Sequence, residues 1–107
     1  MDSVDKVYTV IIQTPASEML VNHSQFLAQV SESAAERLVD EFFIKANSLE
    51  HMPERCPWLS GYSITEKKYR KLIFENYYML IFQVVGDNVY IDAVVDCRSE
   101  YHWLLLS

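Results

Sequence analysis

The chain has 107 residues, half of them apolar and 13% aromatic, with nine Lys and Arg against fifteen Asp and Glu for a net charge of −6. This length suits one domain over residues 1–107 with a single hydrophobic core, and so much apolar content excludes a disordered chain. The acidic balance argues against strong direct binding to nucleic acid or to an anionic membrane, since both need a basic surface.

No apolar stretch approaches the ~20 residues that a membrane helix requires. The opening MDSVDKVYTV carries acids where a secretion signal carries bases. A cytoplasmic location is therefore expected. Cys56 and Cys97 belong to no CxxC or metal-ligand spacing, which fits two free thiols in a reducing compartment and predicts neither a zinc site nor a cofactor.

Lys6 to Gln13 (KVYTVIIQ) is rich in β-branched residues and predicts a first strand. Thr14 is placed to cap a helix and Pro15 to take its first position. Ala16, Met19, Leu20, His23, Phe26, Leu27 and Val30 then recur at intervals of three and four, on one helical face as far as Val30. Ser33-Ala34-Ala35-Glu36 has the form of a capping box and opens a second helix, with Ala35, Leu38, Val39, Phe42, Ala46 and Leu49 as its apolar stripe. The short gap between the two predicts an antiparallel helical hairpin. Pro53 and Pro57 end it, and HMPERCPWLSG reads as an irregular connector whose Trp58 and Leu59 tuck into the core.

The block from Tyr69 to Tyr101 predicts three strands in a meander. Glu75 and Asn76 lie between the first two apolar runs and Gly86, Asp87 and Asn88 between the second and third, lengths that suit antiparallel hairpins. The preceding Lys67, Lys68, Tyr69, Arg70 and Lys71 hold four of the nine bases and no acid. The expected fold is α+β, in the order β-α-α-β-β-β: an antiparallel-dominated sheet packed in two layers on the N-terminal helical hairpin, with a short C-terminal element at Glu100 to Leu106.

This order, with a set of short segments, resembles the RelE/ParE superfamily of bacterial toxins from type II toxin–antitoxin systems, which includes plasmid stabilisation proteins. The segments are Ser31-Glu32-Ser33-Ala34-Ala35-Glu36-Arg37, Leu49 through Pro53-Glu54-Arg55-Cys56, Tyr69-Arg70-Lys71-Leu72 and Asn76-Tyr77. They continue with Gly86-Asp87-Asn88-Val89-Tyr90-Ile91 and Arg98-Ser99-Glu100-Tyr101, followed by Leu104-Leu105. None is specific alone; their order and spacing together carry the resemblance. It implies a cognate antitoxin as partner, in a toxin–antitoxin hetero-oligomer or beside a homodimer, and a target that is DNA gyrase for ParE-like members or the ribosome for RelE-like ones.

The ribonuclease members cut messenger RNA on the ribosome with basic residues and a tyrosine that orient the 2′-hydroxyl and stabilise the scissile phosphate. Their counterparts here are Lys68, Arg70, Arg98 and Tyr101. Strand alternation places Lys68 and Arg70 on one face with Leu72, against Lys67, Tyr69 and Lys71, and an edge strand protected by charge accounts for the same cluster. Other basic positions of the family fall on Tyr78 or Met79, on Ala93 and on Ser99, and its histidine falls on Asp96. These losses place the chain on the ParE side, acting by protein–protein contact; the alternatives are a ribosome-dependent endoribonuclease and a degenerate homologue without toxicity.

Three other groups invite chemistry. Asp92 and Asp96 are expected on one strand face, yet four residues at ~3.3 Å separate them by about 13 Å, too far to share a proton or a metal ion. His23 reads as a core or boundary histidine. Cys97 with His102 would need a depressed thiol pKa, which adjacent Asp96 opposes.

Overall fold

The computed structural model describes residues 6–61 and 64–98. Strand β1 (Thr9–Ile12) is followed by helices α1 (Thr14–Ala28) and α2 (Glu32–Ser48), a short 3-10 turn at Pro53–Arg55, and strands β2 (Arg70–Phe74), β3 (Tyr78–Val85) and β4 (Asn88–Asp96). The sheet order is β1-β4-β3-β2. The three later strands form the expected antiparallel meander, while β1 pairs parallel to β4, with Thr9 opposite Asn88. The sheet is thus mixed, α+β, with the helical hairpin as its second layer. The C-terminal element expected at Glu100 to Leu106 lies outside the described residues.

Both hairpin turns use left-handed backbone. Glu75 and Asn76 have φ of 47° and 66°, and Gly86 has 61°, the sign that lets tight turns follow the twist of the strands they join.

The helix starts differ from the sequence reading. Gln13 is the N-cap of α1, so Thr14 is its first residue and caps nothing, and Pro15 lies within the first turn where no intrahelical donor is lost. The cap of α2 is Ser31, not Ser33: the Ala34 amide donates to Ser31 Oγ at 3.2 Å, and the extended backbone of Ser31 (φ −157°, ψ 113°) sets the helix start two residues earlier. Glu32 then occupies the first turn, where a negative charge complements the helix dipole.

Leu38, Phe42 and Ala46 of the second helix, Leu49 at its C-cap, and Ala16 and Leu20 of the first pack on Leu80, Phe82, Val89, Ile91 and Val94 to form the main core. Phe26 is 70% exposed although Leu27 beside it packs on the main core, and Val30, beyond the end of α1 at Ala28, is 81% exposed. Leu59 is buried as expected, but Trp58 is 40% exposed.

The other sheet face carries a second apolar cluster of Leu59, Met79, Ile81, Ala93 and Val95, with Ile64 and Tyr69 packed against it. A β-bulge interrupts the ladder here: Ile81 pairs with Ala93 and Phe82 with Ile91, leaving Asp92 as the extra residue. The bulge shifts the alternation by one. Asp92 accepts from Gln83 Nε2 at 2.8 Å and lines a cavity with Ile81, Ala93 and Tyr69, whereas Asp96 pairs with Tyr78 of the helix-facing core. The two aspartates therefore face opposite ways, not the same way.

Candidate functional site

The two arginines singled out by sequence stand at opposite ends of the sheet. Arg70 opens β2, the edge strand, opposite Phe82; Arg98 follows β4 just beyond Asp96, which pairs with Tyr78. Four residues of β3 separate those register positions, about 13 Å at ~3.3 Å each, and Arg98 lies further out still.

Arg70 is fixed by its surroundings. Its Nη1 donates to the Glu54 carbonyl at 3.1 Å and the Cys56 carbonyl at 2.7 Å, and the guanidinium lies 3.6 Å from the Trp58 ring centroid. The connector is held in turn by Leu59 N–H to the Tyr69 carbonyl at 2.7 Å and Lys71 N–H to the Pro57 carbonyl at 3.1 Å. The Tyr8 hydroxyl donates to the Glu54 carboxylate at 3.0 Å. Lys68 lies beside this corner, and the left-handed backbone of Lys67 (φ 56°) interrupts the strand alternation expected for the basic run.

Arg98 is neutralised by its own strand. Its Nε and Nη2 donate to the two Asp96 carboxylate oxygens at 3.2 Å each, its backbone N–H adds a third bond at 2.9 Å, and the guanidinium stacks 4.3 Å from the Tyr77 ring centroid. Burial alone would raise the Asp96 carboxyl, whose side chain is 13% exposed, but the Arg98 hydrogen bonds and charge outweigh it and hold the pKa below the usual carboxylate range. The same bond raises the Arg98 pKa. Tyr101 lies outside the described residues, as does His102.

Between these ends the positions where the family places further bases are apolar and packed. Tyr78, Met79 and Ala93 are all buried, Met79 and Ala93 in the second cluster at 4% and 3% exposure. Among the described residues the face that carries the second cluster thus brings no set of cations together around Met79 and Ala93, where phosphate chemistry would need converging positive charge, and the bases gather instead at the Arg70 corner.

The other groups are structural. His23 Nε2 bonds the Val94 carbonyl at 3.0 Å and the ring meets Tyr78 edge-on at 5.5 Å, a boundary histidine. Burial raises both thiol pKa values, and Asp96 raises that of Cys97 further. Among the described residues no three His, Cys, Asp or Glu side chains are grouped to hold a metal ion.

Sequence reasoning missed two features. The Trp58–Arg70 stack needs the connector folded back against β2, which no local pattern encodes. Phe26 on α1, Phe43 and Ile44 on α2 and Val30 between the helices are exposed, and the two helices form a separate shallow groove lined by Ala28, Val39 and Asp40. Phe43 and Ile44 fall off the inner stripe of α2, so that signal was readable.

Comparison with known proteins gives matches of two kinds. The sequence matches the family described as "ParE toxin of type II toxin-antitoxin system, parDE" over residues 10–101. Among solved structures, a chain from "Chromosomal ParDE TA system from P. aeruginosa" has a TM-score of 0.66 at 14% sequence identity, over 85% of this chain and 97% of that one. Identity that low speaks for the fold alone. No curated protein matches. Since the family match takes in both helices and nearly the whole sheet, this chain belongs to the ParE toxin family of type II toxin–antitoxin systems.

Proposed function

We propose that the protein is a toxin that acts by contact with a protein target, with DNA gyrase the target implied by ParE resemblance, and that a cognate antitoxin neutralises it. The observation that carries this reading is the burial of Met79 and Ala93 in an apolar cluster, where a nuclease of this superfamily would place charge. The chelation of Arg98 by Asp96 supports it further. The antitoxin would cover exposed apolar side chains of the helical hairpin, Phe26 of α1 and Phe43 and Ile44 of α2 among them.

Inducing the chain alone in a bacterium tests the reading. Growth should stop, with DNA topology failing before translation, and the purified protein should cut no messenger RNA on ribosomes above background. Codon-positioned cuts that vanish with Arg98→Ala would overturn it in favour of the nuclease. The isolated chain should also self-associate more readily than its complex with the product of the adjacent gene, and a clean monomer that binds no such product would count against an antitoxin.

A further inference from the structure

We propose that the basic corner at the start of β2 is a carboxylate-binding cleft that takes a short acidic segment of a protein partner. The partner's class rests on the protein-contact reading above; the cleft itself rests on local charge and geometry. A cavity of about 290 Å3 is lined there by Lys6, Lys67, Lys68 and Arg70, with Glu54 and Trp58 in its wall. Four of the chain's nine bases thus meet in one place on a molecule of net charge −6.

Most of that charge is available. Lys6 is paired with Asp87 at 2.9 Å, but Lys67, Lys68 and Arg70 have no ion-pair partner among the described residues. The single acid in the lining, Glu54, accepts the Tyr8 hydroxyl, a bond that turns the carboxylate toward Tyr8 without cancelling its charge, so three cations free of ion pairs stand against one acid. Arg70 is preorganised: two carbonyls take Nη1 and Trp58 takes one face of the guanidinium, leaving Nε and Nη2 without a hydrogen-bond partner among the described residues. A planar guanidinium held in this way recognises carboxylate with little loss of conformational freedom.

Charge decides between a peptide and a nucleic acid. A long polyanion has to run on past the cleft across a surface with fifteen acids, and Arg98, the next arginine on the sheet, is already chelated by Asp96. A few carboxylates need only the local field, which fades within about 8–10 Å at ordinary ionic strength.

The test is fluorescence anisotropy on the full chain with a labelled short peptide of consecutive glutamates, its glutamine counterpart and a labelled short oligothymidylate, each at low and high salt. The glutamate peptide should bind saturably, weaken with salt and bind more tightly than either other probe. Lys67→Gln/Lys68→Gln, which changes two exposed side chains and should leave the melting curve in place, should weaken binding about tenfold. Lys45→Gln on α2 should not. Equal binding of the glutamine peptide, unchanged affinity of the double variant, or tighter binding of oligothymidylate would each overturn the cleft. Growth arrest by a chain that fails these tests removes the cleft alone; peptide binding by a chain that arrests nothing removes the toxin reading and leaves the cleft.

Discussion

Installing a charge on the packed sheet face should unfold the site instead of making a nuclease. Met79→Arg is the sharpest form of this perturbation, because Met79 lies on the face opposite the helices between Leu59, Ile81 and Val95 at 4% exposure. Removing a buried Met side chain forfeits about 1.5–3 kcal/mol of apolar burial. A guanidinium there must either stay without a partner, at a further cost of several kcal/mol, or reach for solvent and disrupt the cluster. The net loss should be about 3–5 kcal/mol, a large share of the roughly 5–15 kcal/mol that holds such a domain together. In urea, with a slope of about 1–3 kcal/mol per molar, the midpoint should fall by about 2 M. Met79→Leu, which conserves volume, should stay within about 1.5 kcal/mol of the parent. If Met79→Arg instead unfolds within about 0.5 kcal/mol of the parent, this face has room for charge, and the argument against convergent cations on it fails.

Three further outcomes follow from the structure. Leu38→Asp places a carboxylate on the inner stripe of α2, where Leu38 is 1% exposed, and should cost several kcal/mol, seen as loss of the cooperative melt by circular dichroism. Ser31→Ala should cost about 1 kcal/mol in chemical denaturation and Ser33→Ala less than about 0.5, since only Ser31 caps the helix; the reverse order would restore the capping box first read from sequence. The Asp96 carboxyl is depressed in the folded state, so its contribution is fully present above its unfolded pKa of about 3.9 and is lost as pH falls through the lower folded value. Asp96→Asn should therefore flatten the stability curve on the acid side below about pH 4, and an unchanged acid limb would show that the Arg98 chelate contributes nothing.

Local signals carried most of the fold. Turn residues at Glu75-Asn76 and Gly86-Asp87 set the two hairpins, and the three-and-four spacing from Ala16 to Leu27 and from Ala35 to Leu49 set the helical layer. Parity is where the reading broke. One unpaired residue, Asp92, reverses every inside–outside assignment across it, and no propensity announces a bulge. Ser31 and Ser33 both offer a hydroxyl, and the choice between them depends on how the chain turns out of α1, not on either residue's chemistry. The candidate site failed for a related reason. Arg70 and Arg98 are linked by family order, but antiparallel register carries them to opposite ends of the sheet, and Asp96, two residues before Arg98, occupies the second guanidinium.

The parallel pairing of β1 with β4 sets a timetable for synthesis. Thr9 waits for Asn88, about 80 residues later, which at ~5–20 residues per second is an interval of about 4–16 s. During it the first strand has no partner in the sheet, and the apolar stripes of α1 and α2 have no β4 to close over them. Closing so distant a contact carries the loop entropy that makes high-contact-order domains slow to fold. The newborn chain thus passes through a stage in which its inner apolar face is open, and any protein that binds that face early competes with the last strand and not with the finished fold.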